Sequence, residues 1–199
     1  MRRAANFRPN TGGQRFPPAA HPVDREGVTM VYLALACRLL LLGVFLVALV
    51  SKMRAYREFE RSLTGLVPGK AIRPAAALTT AAEAAAVVLL ALPHTGSLGF
   101  ALAGLLLAAF VAGIVLGLRR GTTAPCRCFG ASETPLGWPH VIRNAVLLCA
   151  AALGLITGPA VPTEIGGIAV TAACAAIAGL AVVRLDDLVA LFRPLNTAS

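Results

Sequence analysis

Five apolar stretches constrain this chain more than any other feature; they run over residues 31–50, 72–92, 98–118, 141–157 and 165–183. A helix rises about 1.5 Å per residue, so about 20 residues cross a hydrocarbon core about 30 Å thick. The first three stretches meet that length, and the last two come close to it. Charge or a helix breaker closes each one: Lys52 and Arg54, then Pro93, then Arg119 and Arg120, then Gly158 and Pro159, then Arg184. In lipid, every backbone polar group must find a partner within the protein, and continuously apolar hairpins would leave open strand edges. The pattern predicts an all-α, polytopic transmembrane helix bundle of four to five spans, in contact with the lipid bilayer.

Composition supports this. Hydrophobic residues make up 57% of the chain and charged residues 14%, against about 25% charged in a typical soluble domain. Too little polar surface remains to coat a globule in water. The net charge is +9, but the cations cluster between apolar stretches. They read as contacts to anionic headgroups and as a positive-inside bias, and they argue against nucleic acid as a partner. Residues 1–29 carry prolines and arginines without apolar periodicity, so they read as a disordered basic tail and not as a signal peptide. Met30 stands directly before the first stretch and offers a second translation start. The transmembrane domain is expected over 30–184, with a short C-terminal tail over 185–199.

The links between spans alternate in charge. Link one (51–71) carries Lys52, Arg54, Arg57, Arg61 and Lys70 against Glu58 and Glu60; link three (119–140) carries Arg119, Arg120 and Arg127 against Glu133. Five spans put these two links on one side with the C-terminus. The positive-inside rule assigns that side to the cytoplasm and leaves the basic tail outside, a conflict that a start at Met30 removes. The opposite orientation keeps the tail inside and carries the basic links across.

Cys126-Arg127-Cys128-Phe129-Gly130 follows Pro125 in link three. The thiolate is the reactive form of cysteine, and neighbouring cations such as Arg119, Arg120 and Arg127 favour it. Two thiols one residue apart close only a tight ring, which favours an exchangeable disulfide over a structural staple. Cys126 and Cys128 are therefore the candidate redox pair, set against a coincidental pair in a surface loop. Zinc needs four ligands and only His140 is near in sequence, so no metal site is expected. Cys37, Cys149 and Cys174 lie in apolar stretches and read as packing residues; Cys149 is the one further thiol near this end of the bundle.

Glu83 sits in the middle of the second span, where a carboxylate is costly unless paired. Arg38 lies about 10 Å below the shared surface and Glu83 about 14 Å. These depths predict a buried Arg38–Glu83 pair, with helix register or function as its role. Arg143 opens the fourth span from the opposite surface and is the poorer partner. Asn144 is expected to hydrogen-bond between helices. His94 and His140, at span ends, read as solvated, and Tyr32 and Trp138 as interface anchors. Gly99, Gly104, Gly113 and Gly117 read as points of close helix approach. No phosphate-binding loop, zinc-protease helix or nucleophile elbow is present, which argues against a soluble catalytic domain.

Several of these residues together resemble one family. Arg38-Leu-Leu-Leu-Leu-Gly-Val-Phe45 runs on to Ser51-Lys52 and Phe59. Glu83 follows, then Cys126-x-Cys128-Phe129-Gly130, and then Arg143-Asn144. Over about residues 31–150 the chain resembles the MauE (methylamine utilisation protein) family of DoxX-like membrane proteins. The middle position of the cysteine motif, often glycine in such proteins, is Arg127. The resemblance implies a multi-pass plasma-membrane protein. It would support processing, transport or disulfide maturation of a methylamine dehydrogenase subunit or similar client, beside a thioredoxin-like redox protein. Any enzymatic role in that reading is at most a thiol–disulfide redox relay. No cofactor is evident in the sequence, and a quinone is the acceptor such a relay would use. Two other readings stand beside it: a structural or assembly component without redox activity, and a small transporter with Glu83 and Arg38 lining its path.

Overall fold

The structure, a computed structural model, describes residues 25–64, 67–120, 138–158 and 162–185. Each apolar stretch is a helix. α1 spans Arg25–Arg54, α3 Ile72–Ala91, α4 Gly96–Arg119, α5 Trp138–Thr157 and α6 Ile165–Val183. A short helix α2, Tyr56–Ser62, and a 3-10 turn at Gly69–Ala71 lie between α1 and α3. No strand occurs among the described residues. All five long helices are long and apolar enough to cross a membrane, so the chain is a multi-pass membrane protein. α1 begins at Arg25, inside the stretch expected to be an unstructured tail to residue 29. The rest of that tail and residues 186–199 lie outside the described residues.

Helix ends follow local chemistry. Pro93 cannot continue α3, and a second 3-10 turn, Pro93–Thr95, leads straight into α4. Gly158, at φ 81°, takes the left-handed conformation that closes α5 and that a side chain would resist.

α1, α3, α4 and α5 form a ring in which each packs against two neighbours: α1 against α3 and α5, α4 against α3 and α5. α6 packs against α1 from outside. We call the lower end of the bundle the one where α1, α4 and α6 end and α3 and α5 begin. The inward faces repeat every three to four residues. On α1 the buried stripe is Arg38, Leu41, Phe45, Ala48 and Lys52. On α5 it runs from His140 through Arg143 or Asn144, Leu147 and Ala151 to Gly154. Such spacing keeps one seam facing the partner helix, as in coiled coils and antiparallel bundles. Outward positions such as Leu78, Leu105, Ile156 and Ile177 are exposed and apolar, as lipid contact requires.

Without a hydrophobic drive between helices in lipid, close packing has to hold the ring together. The small residues that permit it are only partly the expected ones. A Cβ at Gly99 would stand 2.9 Å from the backbone nitrogen of Leu90, so α3 and α4 touch backbone to backbone there. Gly113 has open space around it and plays no such part. The tightest contact on α5 is at Gly154, where a Cβ would overlap the Phe100 ring of α4. Tyr32 lies against Gly167 of α6 in the same manner, so it joins α1 to α6.

Gly154→Ala should therefore lower unfolding stability in detergent by about 1–3 kcal/mol, the usual cost of overpacking, while Gly113→Ala is near neutral. Adding Phe100→Leu to Gly154→Ala should cost less than the two single changes together. Strict additivity would show that the ring and the glycine do not share that space.

Candidate functional site: a buried polar layer at the lower end

Among the described residues six polar or charged side chains are buried in the bundle: Arg38, Lys52, Glu83, His140, Arg143 and Asn144. They divide by level. Arg38 lies toward the upper end, Lys52, His140, Arg143 and Asn144 lie near the lower helix ends, and Glu83 sits midway along α3, where Lys52 reaches it.

Glu83 pairs with Lys52, not with Arg38. Lys52 Nζ donates to Glu83 Oε1, and both side chains are essentially inaccessible, at 1% and 0% exposure. The expectation from depth fails because it compared Cα positions. Helical side chains lean toward the helix N-terminus. Both cations are on α1, so both lean toward the upper end. Lys52, two residues from the end of α1, leans back into the membrane toward Glu83. Arg38 leans away from it. The Lys52 ammonium also lies 4.9 Å from the ring centre of Phe59 on α2 and 5.3 Å from that of Phe110 on α4. Both are within cation–π range. The lysine thus ties together α1, α2, α3 and α4.

Arg38 has a different task. Its Nε donates to the Leu90 carbonyl at 2.5 Å and its Nη2 to the Leu92 carbonyl at 2.5 Å. These carbonyls belong to the α3 terminus that Pro93 interrupts, and helix ends leave such groups without helical partners. The Thr95 hydroxyl donates to the Leu89 carbonyl at 2.8 Å. Arg38 and Thr95 together close the end of α3, and the positive guanidinium matches the negative end of the helix dipole.

At the lower end α5 contributes three polar residues in its first two turns. Arg143 Nη2 lies 3.2 Å from His140 Nδ1. Asn144 Nδ2 donates to the His140 carbonyl at 2.8 Å, a bond within α5 and not the helix–helix bond expected. His140 is 1% exposed, against the expectation of a solvated histidine, while His94 is exposed as expected. Each buried group sits one turn from the apolar core. Lys52 follows Ala48, Glu83 precedes Ala86, and Asn144 precedes Leu147. Two acceptors in this layer, Glu83 Oε2 and Asn144 Oδ1, have no hydrogen-bond partner among the described residues.

Cys126 and Cys128 lie outside the described residues. Their segment starts after Arg120 and ends before Trp138, so both of its attachments are at the lower end. Trp138 is exposed there, as an interface anchor would be. Cys149, expected to be buried near that end, is exposed on the outer face of α5, and Cys174 on that of α6; Cys37 is buried.

Lys52 and Phe59 enter the sequence reading only as a link cation and as part of the family resemblance, and His140 as solvated, so none of the three is assigned to a site there. The signal was present. Extending the three-to-four-residue stripe past each apolar stretch reaches Lys52 on α1 and His140 on α5.

Fold and site define a small multi-pass helical membrane protein with a buried polar layer under one membrane face. The family described as methylamine utilisation protein MauE matches residues 30–157, which covers the four-helix ring and the cysteine motif. The chain belongs to that family. Neither a curated protein nor a solved structure matches it.

A double-mutant cycle checks the pairing. Lys52→Met alone should destabilise the purified protein by about 3–5 kcal/mol, because it leaves a buried carboxylate uncompensated. Adding Glu83→Gln should recover much of that loss. Arg38→Met should be additive with Glu83→Gln to within about 0.5 kcal/mol. Strong coupling of Glu83 to Arg38 instead would reverse the assignment.

Proposed function

We propose that this MauE-type protein is a plasma-membrane thiol–disulfide relay. It supports maturation of a methylamine dehydrogenase subunit or a similar exported, disulfide-containing client. Cys126 and Cys128 are its exchanging pair. In the oxidising direction, a thiolate of a reduced thioredoxin-like partner attacks one sulfur of the Cys126–Cys128 disulfide. A mixed disulfide forms, and the partner's second thiol resolves it. The partner leaves oxidised, and Cys126 and Cys128 hold two electrons and two protons as a dithiol. A membrane quinone is the proposed acceptor that takes both and restores the disulfide.

One observation supports this reading above the others: the polar groups buried at the lower end, where the cysteine segment is attached. Packing alone does not require the Lys52–Glu83 pair, nor His140, Arg143 and Asn144 at the lower end of α5, to be buried in a lipid-embedded bundle. Ionisable groups at such depth mark functional paths in membrane proteins. A transporter reading gains little from Arg38, which donates through Nε and Nη2 to the end of α3.

The test is thiol labelling in intact cells with a membrane-impermeant reagent, in a chain whose other three cysteines are replaced. External labelling of Cys126 and Cys128 only after reduction is the expected result. Protection until lysis would place the pair in the cytoplasm, where the basic links of this face would put it, and would rule out oxidation of an exported client. Cys126→Ser with Cys128→Ser should abolish exchange with the partner. Normal client maturation in that variant would make the protein an assembly component instead.

A further inference from the structure

Outside the polar layer, the lower surface carries a cleft of about 630 Å³ between α2, the 3-10 turn and the start of α3. Arg57, Arg61, Lys70 and Arg73 line it, with Glu60 as the one acidic residue and Thr64 as a further polar one. None of the four cations makes a side-chain hydrogen bond or ion pair among the described residues. Four like charges around one cleft repel one another and call for an anion. The cleft is also fixed in place. α2 is pinned by Phe59, which is 3% exposed and stacked on Lys52, and the far wall is the first turn of a membrane span.

From this geometry we infer that the cleft binds the phosphate headgroup of an anionic phospholipid. Its level decides the class of ligand. The cleft opens where the span of α3 begins, at the plane of lipid phosphates, and α3 exposes apolar Leu78 two turns deeper, where acyl chains lie. Clusters of arginine and lysine at this level hold anionic headgroups by charge and by several N–H donors at once. The inference does not depend on the thiol chemistry.

The full-length chain, purified in detergent, is mixed with equal amounts of phosphatidylglycerol and phosphatidylcholine of identical acyl chains, and retained lipid is measured by native mass spectrometry. Phosphatidylglycerol should be retained in preference. Arg61→Gln with Lys70→Gln and Arg73→Gln should reduce that preference about a hundredfold, at about fivefold for each interfacial charge lost. These three side chains are exposed, so the variant should unfold at the same temperature as the wild type in phosphatidylcholine. Arg54→Gln with Arg119→Gln and Arg120→Gln removes the same charge from the same face outside the cleft and should keep the preference. Equal loss in both triple variants would assign the effect to general surface charge and overturn the site. So would equal retention of the two lipids by the wild type. Inorganic phosphate that competes as well as phosphatidylglycerol would overturn the lipid as ligand in favour of a free anion.

Discussion

An ammonium and a carboxylate buried in a bilayer-spanning bundle cannot be left apart, and the Lys52–Glu83 contact organises the lower half of this protein. Each charge alone would be costly at that depth. Joined, they leave one carboxylate oxygen to be satisfied and one lysine stem that packs as a hydrophobe. The contact fixes α1 against α3 in register, because sliding by one turn would separate the charges by about 5 Å. It also explains why the link after α1 folds back as α2. Phe59 on that helix and Phe110 on α4 present ring faces to the same ammonium.

The upper end solves a different problem with the same helix. Arg38 and Lys52 are 14 residues apart, close to four turns, and so share the α3-facing side of α1. Their side chains lean in one direction, yet they meet opposite needs. Lys52 meets a charge in the span, and Arg38 meets the carbonyls that Pro93 strands at the end of α3. Between them Leu41, Phe45 and Ala48 form an apolar centre with Ala86 and Leu90. α1 and α3 are thus held by polar contacts at both ends, and the two contacts together specify their antiparallel alignment.

The sequence carried the architecture almost completely, because a bilayer imposes length and polarity limits that apolar runs display directly. Span bounds differ from the apolar runs by a few residues, mainly where α1 begins early and where α5 takes in Trp138, Pro139 and His140. The partners of the buried groups were much less legible. Depth along the membrane is a property of Cα atoms, whereas a lysine or arginine acts several ångströms away in a direction set by its own helix. Lys52 closes an apolar run and so resembles an interface charge, although it completes the inward stripe of α1. Cys149 shows the reverse error. It lies deep in α5 but falls off the stripe through Leu147 and Ala151, so it meets lipid and not the core.

The two ends also differ in how completely their hydrogen bonding is closed, and this separates scaffold from site. At the upper end the donors of Arg38 and Thr95 meet the carbonyls of one helix terminus, and geometry accounts for the residues present. At the lower end Glu83 Oε2 and Asn144 Oδ1 remain open acceptors among the described residues. A purely structural layer would be under pressure to lose such atoms, since apolar residues of similar volume pack as well or better at no desolvation cost. Their presence below the apolar centre, toward the face where the cysteine segment is attached, makes this the part of the bundle whose polarity exceeds what packing among the described residues demands. That excess, more than the ion pair itself, is the physical argument for the proposal that places thiol chemistry at this end.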